Sequence, residues 1–455
     1  MSSIRPRRAD FRAMIGLAVP VATVQIGLMM LGVVDTMIVG HLSATALASV
    51  AVANLYFWSV VVFSWGVMLV LDPIISQAVG AGDTEGVARG LQRGIVIALV
   101  LGLILSTLLL PVEPVLRFLR QPESIIPDAA VYVYICIPSL PGLVVFFALR
   151  QTLQALGALR PIVIVMVVAN LVNLLLSWML VFGRLGAPAL GVAGSAIVTS
   201  GVRLLMPVAV AAMAWAALRP LLRPWRADTL SAGPLLRMIR HGVPIGLQTT
   251  IEYVAFAIVA VMMGWLGEIE IAAHQIALNL AALTFMVPQG VAAAAAVLVG
   301  RAIGAGDEGS ARRSAASALI LGVGFMSCTA VAFLVFPHAF ASLYTNDRAA
   351  FVLAASLIPI AGVFQVFDGT QSVASGILRG AGDTHMPMVI NLLGYGLVGI
   401  PVSMLLAFKL GMRAHGLWWG LVAGLVAVAL FLLARVVSRL GRSLQRLVVD
   451  SEPVA

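Results

Sequence analysis

The sequence predicts an all-α integral membrane protein. Its twelve transmembrane helices form two six-helix bundles related by a pseudo-two-fold axis along the membrane normal. Three observations predict this fold. The 455-residue chain is 61% hydrophobic and only 10% charged, whereas a soluble domain carries about a quarter charged residues. Twelve apolar stretches are each long enough to cross a bilayer core, which takes about 20 apolar residues. A repeat at a shift of 224 residues relates the first six stretches to the last six.

The apolar stretches fall near residues 15–40, 46–72, 91–112, 129–149, 161–182, 189–216, 240–264, 271–299, 314–336, 350–378, 386–408 and 414–434. Short Gly-, Pro- and charge-bearing loops separate them. Arg5, Arg7, Arg8 and Arg12 before an apolar run resemble the start of a signal peptide. That run extends to Gly40 without a small-residue cleavage pattern, so it reads as a first spanning helix. Pro20, Pro244, Pro288 and Pro401 lie inside runs. They are tolerable there because neighbouring helices satisfy the backbone groups a proline frees.

The repeat pairs Val19-Pro20 with Val243-Pro244, Gly40 with Gly264, Leu42 with Leu266, Ala48 with Ala272 and Gly66 with Gly290. In the same register, Gln77-Ala-Val-Gly-Ala-Gly-Asp83 falls on Arg301-Ala-Ile-Gly-Ala-Gly-Asp307 without a gap. Each repeat holds an even number of spans, so both halves enter the membrane in the same sense. Parallel repeats of this kind characterise some secondary transporters. The expected domains are a first bundle over 1–218, a cytoplasmic linker over 219–239, a second bundle over 240–440 and a cytoplasmic tail over 441–455.

The basic residues orient the chain. With a cytoplasmic N-terminus, the far side carries Arg117, Arg120, Arg184, Arg348, Lys409 and Arg413, and Arg203 falls inside the sixth run. The other 21 of the 28 Arg and Lys residues lie on the cytoplasmic side, which places both termini there by the positive-inside rule. The net charge of +9 is thereby used as a topology signal, and nucleic acid is not expected as a partner. Cys136 and Cys328 both lie in apolar runs and read as small buried hydrophobes.

Four acidic residues break the runs: Asp35, Asp72, Glu252 and Asp368. A carboxylate in the bilayer core costs several kcal/mol and marks a functional site by default. Asp72, before Pro73 and near a cytoplasmic loop, is explained as well by headgroup solvation or by pairing with a loop arginine as by function. Arg203 either snorkels or pairs with an acid and receives no role. At the 224-residue shift Asp35 meets Val259 and Glu252 meets Leu28, so these acids are no part of what the repeat needs to fold.

Helical spacing surrounds the acids with polar stripes. Gln365, Asp368, Gln371, Ser372 and Ser375 share one face of the tenth helix, and Gln248, Thr249 and Glu252 one of the seventh. Gln275 and Asn279 do so on the eighth, and Asn170 and Asn173 on the fifth. Isolated Asn and Gln residues read as interhelical glue; a carboxylate-bearing stripe points to a hydrated cavity. There is no Gly-Lys-Ser/Thr phosphate loop, so ATP is not the expected energy source. Gly80-Ala-Gly82 and Gly304-Ala-Gly306 read as helix terminators, and the six histidines show no metal-ligand spacing.

At this level of detail the chain resembles the multidrug and toxic compound extrusion (MATE) family, NorM-like subgroup, over about residues 10–440. The resemblance rests on Val-Asp35-Thr-Met-Ile-Val-Gly-His-Leu and on Gln-Ala-Val-Gly-Ala-Gly after the second helix. In the second half it rests on Glu252, on Ile-Ala-Ala-His-Gln275-Ile-Ala-Leu-Asn279 and on Phe-Asp368-Gly-Thr-Gln371-Ser-Val-Ala-Ser-Gly-Ile-Leu-Arg-Gly. It implies export of amphipathic organic cations in exchange for inward Na+ or H+, with no cofactor and no enzymatic activity. It implies a multi-pass protein of the bacterial inner membrane, in contact with membrane lipid and expected to act as a monomer.

The family's first-half cation site falls here on Asp35, Asn173, Ser177 and Thr199. Ser177 departs from the family's Asn or Asp, so strong Na+ coordination is not expected in that half. In the second half the resemblance matches Glu252 and Asp368 to acids that NorM-like members use; with the polar stripes around them, they are expected to form a coupling-ion site, for Na+ or H+, with Gln275, Asn279 and Gln371 as neutral neighbours. The alternative from the wider superfamily is a flippase for lipid-linked saccharide precursors. Such anionic substrates call for clustered basic residues in the runs, where only Arg203 qualifies.

Overall fold

The computed structural model describes residues 5–345, 347–448 and 450. It contains twelve helices long and apolar enough to cross a membrane. They are α1 (Arg8–Gly40), α2 (Ala44–Gly80), α3 (Thr84–Leu109), α4 (Ile126–Leu156), α5 (Arg160–Phe182) and α6 (Gly191–Met213). The second six are α7 (Ala232–Leu266), α8 (Glu268–Gly304), α9 (Glu308–Val335), α10 (Arg348–Gly380), α11 (His385–Lys409) and α12 (Arg413–Leu440). No strand occurs among the described residues, as expected where lipid leaves each segment to satisfy its own backbone. Large apolar side chains such as Leu205, Leu171 and Phe431 are more than half exposed, as expected of spanning helices that face lipid.

The twice-repeated heptad works as a stop followed by a start. Gly82 and Gly306 adopt left-handed backbone, with φ of 69° and 72°, which ends the preceding helix. Asp83 then accepts a hydrogen bond from the Gly86 amide at 2.7 Å, and Asp307 one from the Ser310 amide at 2.8 Å. Each aspartate caps the next helix N-terminus. Other helices are interrupted internally: α2 by a turn at Leu69–Val70, α4 by a 3-10 turn over Ile137–Ser139 and α11 by π-turns over Gly394–Gly399 and Leu405–Lys409.

The chain divides into two units. Among the described residues, unit 1 lies within 5–22, 72–82 and 247–448, and unit 2 within 23–71, 83–246 and 450. Helices α1 and α7 both change unit just after their matched prolines, Pro20 and Pro244, at positions that are images under the 224-residue shift.

Unit 1 is held by close backbone approach. A methyl on Gly376 would overlap the Ala292 backbone, and one on Gly380 would come within 2.5 Å of the Ala296 carbonyl, so α8 and α10 pack main chain to main chain. The end of α2 joins them reciprocally. A methyl on Gly80 would overlap the Arg301 backbone, one on Gly304 the Gln77 backbone, and one on Gly300 the Ser76 hydroxyl. Around this contact, buried Asp72 pairs with Arg379 at 3.1 Å. Gln77 donates to the Gly380 carbonyl at 2.9 Å and accepts from the Leu447 amide at 2.6 Å.

In unit 2, Gln92 on α3 grips the segment before α7. Its amide donates to the Leu221 carbonyl at 2.8 Å and accepts from the Thr229 hydroxyl at 2.8 Å. The α4 helix runs on to Leu156, so Arg150, outside the expected stretch, joins Arg93 and Arg203 as a buried arginine in a span, donating to Gln25 at 3.0 Å. One expectation is corrected: Cys136 is buried, but Cys328 is exposed. It sits on α9, a helix whose apolar window is only 28% buried.

Candidate functional site

Two buried polar groups stand out, one in each unit. In unit 2, α1 supplies Asp35, α4 Tyr132, α5 Asn173 and Ser177, and α6 Ser195 and Thr199. The Thr199 hydroxyl donates to Asp35 Oδ2 at 2.6 Å, and the Tyr132 hydroxyl donates to the same oxygen at 3.1 Å. Asn173 donates to the Thr199 hydroxyl at 3.2 Å. Ser177, one turn beyond Asn173, is fully buried, and its hydroxyl has no hydrogen-bond partner. Asp35, at 1% exposure, thus spends one carboxylate oxygen on two donors and leaves Oδ1 unbonded. Asn170 stands apart. It bonds the Gly27 carbonyl at 3.0 Å, the interhelical role expected of an isolated asparagine.

In unit 1, the Gln371 amide donates to Glu252 on α7 at 2.7 Å and to Asp368 on its own helix at 3.4 Å. Asp368 and Gln371 are 5% and 2% exposed, and Glu252 is partly buried. Two carboxylates in apolar surroundings therefore share one amide, leaving most of their oxygen lone pairs for a cation. The Tyr395 hydroxyl on α11, buried and without a hydrogen-bond partner, lies within electrostatic reach of both acids. Two further residues of the α10 stripe bond neighbouring helices. Gln365 accepts from Thr284 at 2.5 Å and from Thr329 at 3.3 Å, and Ser375 accepts from Gln248 at 3.1 Å. Gln275 and Asn279 lie on an exposed face of α8, outside this hydrogen-bonded group.

Asp72, which allowed several readings, is engaged by Arg379. His274 is buried edge-on to Trp418, with ring centroids 5.6 Å apart. Sequence reasoning missed Tyr132 and Tyr395. A tyrosine in an apolar run carries no period of its own, and only its neighbours reveal which hydroxyl bonds an acid, as Tyr132 does, or lies within electrostatic reach of one, as Tyr395 does.

Twelve helices long and apolar enough to cross a membrane, two units and buried carboxylates in each are the features of a membrane transporter, and comparison with known proteins identifies the class. The MatE family model matches residues 20–179 and 244–405, one match in each half. A curated relative, "Probable multidrug resistance protein NorM" of Rhizobium meliloti (strain 1021), is 35% identical over 434 residues, covering 93% of this chain and 92% of its own. "Multidrug resistance protein MdtK" of Edwardsiella ictaluri (strain 93-146) is 31% identical, covering 94% and 95%. Among solved structures, the eukaryotic MATE transporter AtDTX14 superposes with a TM-score of 0.88 at 23% identity, covering 96% of this chain and 98% of its own; that likeness speaks for the fold. The chain belongs to the MatE family, in its NorM-like subgroup.

Proposed function

We propose that the protein exports amphipathic organic cations in exchange for inward Na+ or H+, and that Glu252 and Asp368 form its coupling-ion site. The observation that carries this reading is the shared amide: two intramembrane carboxylates from different helices, α7 and α10, meet at Gln371. Each ionised acid in that setting is costly alone. A proton, a Na+ ion or an organic cation each relieves the cost, so the three compete for the same oxygens. Alternating access turns that competition into exchange. The relatives' names support a multidrug substrate range, and small organic cations suit an acidic, base-free group. Gln275 and Asn279 serve as substrate contacts in this reading, and Asp35, Asn173, Ser177 and Thr199 form a second polar group that transport requires. The chain works as a monomer with both termini in the cytoplasm.

The test is dye efflux from proteoliposomes under an imposed Na+ gradient and, separately, a pH gradient, with Glu252→Gln and Asp368→Asn singly and together. Each single variant is expected to lose gradient-driven efflux, with little further loss in the double. Near-wild-type coupling in either single variant overturns the assignment.

A further inference from the structure

Arg203 is a buried cation that the antiport reading leaves unused. It lies on α6 at 6% exposure, one turn beyond Thr199. Its guanidinium carbon stands 4.5 Å from the centroid of the Phe57 ring, itself fully buried. One terminal nitrogen, Nη1, is buried without a hydrogen-bond partner. The Cys136 thiol and the Asp35 carboxylate both lie within electrostatic reach of the same guanidinium.

An arginine keeps its charge in proteins. Stacking on an aromatic face recovers part of what burial costs, and a nearby opposite charge recovers more. The charge count of the group follows. Asp35 contributes one negative charge and Arg203 one positive charge. Tyr132, Asn173, Ser177, Ser195 and Thr199 contribute none. Ser177 matters here, because an acid at that position would have left the group negative. The group is therefore neutral when Asp35 is ionised. The Glu252–Asp368 group, by contrast, holds two acids and no base.

The geometry points to Arg203 as a resident counter-ion that takes the place of a bound cation beside Asp35 and keeps Na+ out of the first-half group. Oxygen ligands are not what is missing: Asp35 Oδ1, Asn173 Oδ1 and Ser177 Oγ are all buried without hydrogen-bond partners. What opposes Na+ is a second positive charge brought close to a guanidinium where water screens poorly. The inference deepens the antiport reading, since it leaves Glu252 and Asp368 as the Na+-competent acids, but its test reads ion binding and not transport.

The test uses purified full-length protein and saturable binding of radioactive sodium. In the E252Q/D368N background, with Arg203 intact, no Asp35-dependent binding is expected. Adding Arg203→Gln is expected to create binding of about one ion per chain, from one freed carboxylate, and adding Asp35→Asn to abolish it. Arg203→Lys keeps the charge and is expected to leave binding absent, which separates charge from shape. If Arg203→Gln fails to fold, as judged by size-exclusion chromatography, Arg203→Met takes its place and keeps an apolar stem against Phe57. The D35N arm separates the two readings, because only binding that D35N removes bears on Arg203. Sodium binding that depends on Asp35 while Arg203 is present overturns the inference. So does a folded, uncharged Arg203 variant that gains none.

Discussion

Asp35 shows how much one side chain can hold in a membrane interior. It accepts from Thr199 and Tyr132 and balances Arg203. Asp35→Asn keeps the volume, removes the charge and leaves the buried Arg203 guanidinium without the acid in its electrostatic reach. We expect this variant to insert in the membrane, to lose dye efflux and to melt well below wild type in a thermal-shift assay. The double variant D35N/R203Q removes both charges and is expected to recover most of the lost melting temperature without recovering efflux. A double no more stable than D35N would show that the two charges do not balance each other. Asp35, Asn173, Thr199, Glu252, Asp368 and Gln371 were all legible in the sequence, because each breaks an apolar run with a polar group that lipid cannot solvate. Arg150 was not, since the apolar run stops just before it and the helix does not. Nor was the exposure of Gln275 and Asn279 on α8: a shared helical face gives spacing, not which neighbour the face meets.

Among the helices, the contact between the ends of α2 and α8 depends most on its sequence. Both backbones approach so closely that Gly80 and Gly304 admit no side chain. Gly80→Val and Gly304→Val are each expected to force the helices apart, destabilising by about 1–3 kcal/mol, the range for overpacking a filled site. Gly324 on α9 provides the control, since a methyl there meets nothing within 4 Å. Gly324→Ala is expected to leave the melting temperature unchanged or to raise it slightly, because alanine favours the helix over glycine. If all three variants melt alike, close approach is not what holds the α2 end. The sequence marked these glycines as helix terminators, which holds for Gly82 and Gly306. It carried no sign that Gly80 and Gly304 also serve as contact surfaces, because close approach belongs to the pair and neither heptad alone encodes it.

For the molecule as a whole, lipid made most of the fold readable. Wherever twenty or so residues avoid charge, a helix spans, and the breaks within α2, α4 and α11 escaped because a short turn leaves hydropathy unchanged. The positions where α1 and α7 change unit escaped too, although each follows a proline the repeat had already paired. The basic bias makes a topological prediction. Tags at residue 228 and at the C-terminus should be shielded from an impermeant reagent applied to intact cells, and a tag near residue 268 should react. An externally labelled C-terminus would invert the protein and, with it, the direction assigned to transport.

The α2–α8 contact has a genealogical consequence. Gly80 touches Arg301 and Gly304 touches Gln77, and each of these pairs becomes the other under the 224-residue shift. Such reciprocity is the mark of an isologous interface, the kind two identical subunits make about a two-fold axis. A half-length ancestor would have met a second copy of itself through this surface. In that ancestor one codon supplied both sides, so every substitution there was felt twice. Fusion into one chain would lift that constraint, and Ser76 opposite Gly300 is a pair one shared codon could not supply: matched positions under the shift, a hydroxyl on one side and a glycine on the other.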